Sequence, residues 1–205
     1  MGSNSSECQK LLKDLEGTFK SMANCLVLIK TSQPVISGNY YVEHQDILNY
    51  HLEFFLIKYS TILDQQLLIC NAALKLGFNE KQCKLNHLNF KRDMKKSSKL
   101  LYKMFCKHKK QFLYESRLRN RIVHQGSIHY PTLEVLKIIN SFVTSSELIT
   151  EHNGTPIQEF QGVETLRKEL EDKLNKAIKY NNDLLNLLFS ELNNKNTKLN
   201  LSFKE

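Results

Sequence analysis

Apolar residues recur at intervals of three and four along most of this chain, which is the spacing that one face of an α-helix produces. Strands would instead show alternation of apolar and polar residues. The pattern therefore predicts amphipathic helices over residues 5–31, about 42–76, about 91–110 with a continuation after a bend to about 125, about 131–149, and about 160–193.

Glycine and proline mark the connections between these helices. Gly77 is predicted to end the second helix. Pro34 and Gly38 predict a loop over residues 32–41, and residues 78–90 are predicted to be irregular. The 205 residues include only 7 glycines and 3 prolines, which favours long helices over a turn-rich β fold. We predict an all-α fold: one domain over residues 1–205, an up-and-down bundle of five or six helices whose ends, 1–4 and 194–205, are frayed.

The cysteines and the hydropathy of the chain indicate where in the cell the protein is expected to be. The five cysteines are odd in number and show no metal-ligand spacing, which is typical of reduced thiols and predicts a cytoplasmic location. No apolar run reaches the roughly 18 residues that a membrane span needs, so we expect no membrane association. We also expect no metal and no other cofactor.

The charge balance is basic. Lys+Arg 29 against Asp+Glu 21 gives a net charge of +8, which suits a polyanion such as RNA. Many of the lysines lie in residues 91–110, where they form either a solvated helix face or a sequence-independent contact with the RNA backbone. The candidate RNA-binding residues are Lys107, Lys109, Lys110, Arg117 and Arg121.

Residues 115–124 place an acid, an arginine and a histidine in one amphipathic stretch. At about 100° per residue, with Glu115 at 0°, Arg119 falls near 40°. Both then lie inside the arc of apolar residues, which holds Phe112, Leu118, Ile122 and Val123. Charges in such an arc destabilise the fold unless they pair or bind a ligand. The simplest pairing is an ion pair from Glu115 to Arg119 one turn later.

His124 lies on the other side of the same predicted helix. It falls near 180°, with Asn120 near 140°, so a straight helix does not bring His124 to Arg119. Three arrangements remain open: the arginine wraps around the helix, the helix ends near His124 ahead of Gly126, or a second copy of the chain supplies the other half.

Arg119-Asn120-x-x-x-His124 resembles the R-N-x-x-x-H form of the R-x4-6-H motif of HEPN domains, and Glu115 matches the polar or acidic position four residues before the arginine. The resemblance implies an all-α homodimer that acts as a metal-independent endoribonuclease. It also implies RNA as the substrate and, since such proteins occur in toxin–antitoxin and anti-phage systems, a cognate antitoxin or defence-system partner.

The same resemblance assigns roles to the motif residues. Arg119 and His124 would be catalytic, and Glu115 would support Arg119. Asn120 would either orient the imidazole of His124 or solvate that face. In HEPN toxins paired with a small nucleotidyltransferase the motif extends to R-x4-H-x-Y; here Gly126 stands at the tyrosine position, so neutralisation by modification at that site is not implied.

Two other functions compete with the ribonuclease. A HEPN-fold module without catalysis would bind RNA or protein as a subunit of a larger assembly. A helical bundle unrelated to HEPN domains would make the motif a chance match. The intact arginine and histidine favour the ribonuclease over both.

Overall fold

A computed structural model describes residues 3–32, 35–37, 40–42, 44–125, 130, 151–152 and 155–202. The six α-helices of these residues are α1 (Ser3–Thr31), α2 (His44–Ala73), α3 (Leu88–Ser97), α4 (Lys99–Gln111), α5 (Leu113–Gln125) and α6 (Ile157–Ser202). The predicted all-α class is confirmed. The helix predicted over residues 131–149 lies outside the described residues.

Two short strand pairs accompany the helices. β1 (Val35–Ser37) pairs antiparallel with β2 (Tyr40–Val42) in the register Val35↔Val42, Ile36↔Tyr41 and Ser37↔Tyr40. β3 (Glu151–His152) pairs in the same way with β4 (Thr155–Pro156). The loop predicted over residues 32–41 is therefore wrong in part, because β-branched and aromatic residues on either side of a two-residue connection favour a hairpin.

The chain divides into two compact units, each drawn from separate stretches. Unit 1 comprises residues 1–19, 60–115 and 176–205, and unit 2 comprises residues 20–59 and 116–175. The core of unit 1 includes Leu15, Ile62, Leu67, Cys70, Phe90, Met94, Leu101, Phe105 and Leu184. The core of unit 2 includes Met22, Ile29, Leu48, Leu52, Phe55, Leu56, Leu118, Leu166 and Leu170. The single-domain organisation stays a prediction.

The end of α2 differs from the sequence prediction. The helix ends at Ala73, and Lys75, not Gly77, takes the left-handed conformation at its terminus, with φ 54°. The N–H of Leu76 donates to the carbonyl of Asn71 at 3.0 Å, and that of Lys75 donates to Ala72 at 3.2 Å. These two bonds form a Schellman motif, which satisfies the last carbonyls of the helix with a lysine where glycine is usual.

We expect Lys75→Gly to stabilise the protein. A left-handed residue with a Cβ costs about 1–2 kcal/mol, and part of that is recovered when glycine replaces it, so the free energy of unfolding should rise by about 0.5–1 kcal/mol. Gly77 has φ 78° and open space around it, so Gly77→Ala is the matched control and should lower stability through the backbone alone. Urea unfolding of the three proteins measures both effects, and a Lys75→Gly protein less stable than wild type would contradict this account.

The basic helix predicted over residues 91–110 is interrupted. Ser98 is extended, with φ −155° and ψ 110°. Its N–H donates to the carbonyl of Met94 at the end of α3. Its hydroxyl accepts the N–H of Leu101 and caps the start of α4. The same hydroxyl donates to Glu191 Oε1 at 2.9 Å. A serine that caps a helix competes with helix continuation, so the single-helix prediction was wrong at this residue.

The remaining boundaries follow the sequence more closely. The bend expected before the motif lies at Phe112, with φ −88° and ψ 0°, between α4 and α5. The last helix is longer than predicted and runs from Ile157 to Ser202; fraying of residues 194–205 stays a prediction. In the described part of the chain, no helix combines the length and the apolarity that crossing a membrane would require.

Candidate functional site

α5 presents the motif with a narrow buried side. Leu118 and Ile122 are buried, 3% and 9% exposed, and Glu115 is buried beside them in helical phase at 4% exposed. Arg119 is half-buried at the border of this side. Val123, which the sequence places in the apolar arc, is 58% exposed. The arc is therefore narrower than predicted and ends before Val123.

The buried position of Glu115 agrees with the helix phase deduced from the sequence. A carboxyl group in an apolar surrounding is destabilising unless it is hydrogen-bonded or paired. Arg119 follows one turn later on the same helix, which is the spacing for an i,i+4 pair. The ion pair between the two side chains stays a prediction.

His124 and Asn120 lie on the exposed side of α5, as their phase predicts. The helix continues to Gln125, one residue past His124, so both motif residues keep helical positions. Their five-residue separation then corresponds to about 140° around the helix axis. Within one chain, only a wrapped arginine side chain brings the two groups together; otherwise a second copy is needed.

The candidate RNA-binding cations are accessible. Lys107, Lys109 and Lys110 are exposed in the last two turns of α4, and Arg117 and Arg121 are exposed on α5. None of them therefore contributes its charged group to a core. Accessible cations can contact phosphates at little cost in desolvation.

The residues of the motif lie inside a region that matches a known family. A family model described as Cthe2314-like HEPN matches residues 10–193. The chain belongs to this HEPN family. Comparison with curated proteins and with solved structures gives no significant match. HEPN domains are commonly ribonucleases, and they commonly bind RNA and form dimers.

A pocket of this HEPN protein lies apart from the motif in sequence. It occupies about 230 Å³ in unit 2, between Asn24, Cys25 and Leu28 of α1 and Tyr50, His51 and Phe54 of α2. Burial raises the pKa of Cys25 to about 11, so its thiol stays neutral at physiological pH. None of the predicted site residues lines this pocket.

His108 is a buried titratable group that the sequence prediction missed among the lysines around it. Its side chain is 1% exposed, and its ring centroid lies 4.7 Å from that of Tyr180 and 6.4 Å from that of Phe105. Its Nδ1 atom has no hydrogen-bond partner among the described residues. The signal was present: Leu101, Phe105 and His108 follow the i, i+4, i+7 spacing of one buried helix face.

We expect His108 to make this HEPN protein less stable in acid. Burial, followed by the charge of Lys107, lowers the pKa of His108, and Asp183 opposes the shift. Above the ordinary histidine pKa of about 6.5 the group is neutral in both the folded and the unfolded chain, so stability is full. As the pH falls below about 6.5, the unfolded chain binds a proton before the folded chain does. The free energy of unfolding then falls, by at most about 1.4 kcal/mol per pH unit.

His108→Gln removes this titration. Its free energy of unfolding, measured in urea between pH 7.5 and about 5, should fall less steeply than that of wild type. The comparison concerns the slope with pH, so a change in absolute stability from the new side chain does not obscure it. Parallel slopes for the two proteins would show that His108 takes no part.

Proposed function

We propose that this protein is a metal-independent endoribonuclease of the HEPN type. The observation that carries the proposal is the R-N-x-x-x-H motif on one continuous helix, with Arg119 half-buried and His124 exposed, inside a region that matches a HEPN family model. Glu115, one turn before Arg119, would hold the arginine in place, and an exposed histidine is accessible to a substrate.

The chemistry needs one proton carrier and one fixed positive charge. The ribose 2′-OH loses its proton and attacks the adjacent phosphorus, the bond to the 5′-oxygen breaks, and a 2′,3′-cyclic phosphate and a 5′-OH result. His124 takes the proton from the 2′-OH and delivers a proton to the leaving 5′-oxygen. Arg119 donates to the phosphoryl oxygens, where negative charge grows, and its planar guanidinium suits two parallel bonds to phosphate.

Glu115 and Asn120 serve as positioning residues in this proposal. Glu115, buried one turn before Arg119, would orient the guanidinium, since a carboxylate cannot itself contact an anionic phosphate favourably. Asn120 lies one turn before His124 on the exposed side, where its amide would hold the imidazole. The exposed cations Lys107, Lys109, Lys110, Arg117 and Arg121 would attract the RNA backbone.

We further propose that the active species is a two-fold homodimer in which the α5 helices of two protomers approach each other. The angle of about 140° between Arg119 and His124 supports a site that draws the arginine from one protomer and the histidine from its partner. The exposed Val123, which lies between these two directions on the helix, offers an apolar contact for the partner. By the same reasoning an isolated chain would cleave poorly.

HEPN ribonucleases of this type occur in toxin–antitoxin pairs and anti-phage systems. We propose a role of that kind, with a cognate antitoxin or a defence-system protein as the regulatory partner. A ribonuclease of low sequence selectivity must be restrained in its own cell, so such a partner would cover the motif helix.

We expect the purified protein to cleave single-stranded RNA in EDTA and to leave DNA of the same sequence intact, because DNA lacks the 2′-OH nucleophile. The products should carry 2′,3′-cyclic phosphate ends, which a phosphatase specific for monoesters leaves in place. Gel electrophoresis and mass spectrometry of the fragments measure both. Activity that vanishes with the chelator and returns with magnesium would contradict the mechanism.

A further inference from the structure

The net charge of this protein comes from one pair of helices. Residues 88–111, which comprise α3, Ser98 and α4, hold nine of the 29 basic residues and one of the 21 acidic residues. Outside this segment 20 basic residues face 20 acidic ones, so the whole net charge of +8 belongs to it. We refer to residues 88–111 as the basic helix pair.

The charges of the basic helix pair all point to solvent. The exposed basic residues are Lys91, Arg92, Lys95, Lys96, Lys99, Lys103, Lys107, Lys109 and Lys110. The apolar sides of both helices are fully buried, with Phe90, Met94, Leu101 and Phe105 each 0% exposed. The single acidic residue, Asp93, bonds the neighbouring Arg92 at 2.9 Å.

Helix stability does not account for this arrangement. Basic residues in the last turn of a helix stabilise it through the helix dipole. This effect explains Lys95 and Lys96 in α3 and Lys109 and Lys110 in α4. Lys99, however, is the first residue of α4, where the helix dipole disfavours a cation. Neither helix has an acidic residue in its first turn to compensate. The excess charge therefore opposes local stability in part.

The pair is also held in a defined form. The Nδ1 atom of His87 accepts the N–H of Phe90 and caps α3, and Ser98 caps α4 while its hydroxyl donates to Glu191 of α6. The lysines therefore stand on two capped, packed helices, and binding an anion requires no ordering of the backbone.

We propose that the whole basic helix pair is one RNA-binding surface, which includes Lys107, Lys109 and Lys110 and contacts the sugar-phosphate backbone of single-stranded RNA. The proposal rests on the proposed ribonuclease function for the choice of polyanion, and it extends RNA contact to Lys95, Lys96, Lys99 and Lys103, which lie 12 to 20 residues before Glu115 in the sequence. Eight of the nine basic residues are lysines; these act as point charges and suit sequence-independent contact with phosphates, whereas arginine forms paired bonds of fixed geometry.

An anionic membrane surface is the alternative partner that the structure disfavours. Membrane-surface helices insert an apolar face between the headgroups, and the apolar faces of α3 and α4 are committed to the core of unit 1. Leu88 and Leu100, 78% and 56% exposed, are the large exposed apolar side chains of the pair. Two leucines give too little area for stable insertion.

The test measures RNA binding without cleavage. The probe is a labelled single-stranded RNA whose 2′-hydroxyls are methylated, so that binding is read independently of the proposed chemistry. The full chain is compared with a quadruple variant, Lys95→Gln, Lys96→Gln, Lys99→Gln and Lys103→Gln. The matched control removes four exposed lysines elsewhere, by Lys10→Gln, Lys13→Gln, Lys176→Gln and Lys179→Gln, and so has the same net charge.

Each phosphate contact on a single strand contributes roughly 0.7 to the slope of log Kd against log salt, so the quadruple variant should lose about 3 in slope and roughly 10²- to 10³-fold in affinity at about 0.1 M salt. The control should stay within a few-fold of wild type. The double variant Lys99→Gln, Lys103→Gln should show about half of the change in log Kd. It replaces the quadruple variant in the test if that variant folds poorly.

Equal losses in the quadruple variant and the control would overturn the proposal, because net charge alone would then explain binding. So would a protein that binds phosphatidylserine vesicles through these lysines but not the methylated RNA. If the wild-type protein binds the methylated RNA through these lysines but cleaves no unmodified RNA, the result would support the basic helix pair as an RNA-binding surface and count against the ribonuclease. The two proposals therefore fail separately.

Discussion

Alanine at His124 or at Arg119 is expected to abolish RNA cleavage while the helical fold stays intact. His124 is exposed and Arg119 is half-buried, so neither truncation opens a cavity in a core. Loss of a positioned proton carrier typically costs 10²- to 10⁴-fold in rate, and loss of a donor to developing negative charge about 10²- to 10³-fold. Initial rates on a fluorescent single-stranded RNA, with circular dichroism as the folding check, measure the effect.

Arg121→Ala is the matched control for Arg119→Ala. Both residues are arginines of α5, but Arg121 is exposed and points about 160° away from Arg119. Its truncation should weaken RNA binding slightly and lower the salt dependence, with kcat little changed. Equal losses in kcat for the two variants would remove the special role of Arg119, and a His124→Ala protein as active as wild type would remove the histidine from the chemistry.

The two inactive variants, mixed, test whether one site spans two protomers. If the arginine comes from one protomer and the histidine from its partner, a mixed dimer of Arg119→Ala and His124→Ala chains holds one intact site. After refolding of an equimolar mixture, random pairing should restore about a quarter of the wild-type activity. A mixture that stays inactive, in a dimer that demonstrably exchanges subunits, would place both groups of each site on a single chain.

Glu115→Ala is expected to produce the largest loss of stability among the motif variants. Glu115 is 4% exposed, and truncation would remove the predicted partner of the half-buried Arg119; breaking a buried pair costs on the order of 3 kcal/mol. Cleavage should fall as well, because Arg119 would lose its predicted support. Glu115→Gln retains part of the hydrogen bonding and should fall between alanine and wild type.

His124→Ala, one exposed residue of the same helix, is the reference and should barely move the melting temperature. Thermal melting of the three variants beside wild type decides the matter, with cleavage rates recorded on the same samples. Should Glu115→Ala melt like wild type while His124→Ala loses its structure, the buried and exposed sides of α5 would be assigned the wrong way round.

The positions of the motif residues on their helix were predictable from the sequence. Glu115 is buried, and Asn120 and His124 are exposed, as a rotation of about 100° per residue requires. Arg119, predicted inside the apolar arc, lies at its border because the arc is narrower than the sequence suggests. Val123 was predicted wrongly because the width of a buried face depends on what packs against the helix, and periodicity gives only its direction. His108 was overlooked for a related reason: charge in the surrounding sequence obscured the i, i+4, i+7 spacing that it shares with Leu101 and Phe105.

Local chain geometry was harder to predict. Lys75 takes the left-handed position at the end of α2 although Gly77 is two residues away, because the site of helix termination depends on the packing of the whole helix, and the strain at one lysine is small by comparison. Similarly, Ser98 separates α3 from α4 in a segment whose composition suits one helix. Its hydroxyl caps α4 and bonds Glu191, a residue 93 positions away, and no local pattern reveals such a partner.

The sequence by itself determined the all-α class, the sides of the motif helix and the HEPN relationship, because each depends on residue type and short-range spacing. Only the tertiary structure decided which of the charged segments is exposed throughout, where the helices break, and that α5 stays helical past His124. Those features depend on contacts between residues far apart in the chain. For the same reason the helix phase alone left three arrangements of Arg119 and His124. The helix end expected near His124 is confirmed at Gln125, but His124 keeps its helical position, so a wrapped side chain or a second protomer must bring the two groups together.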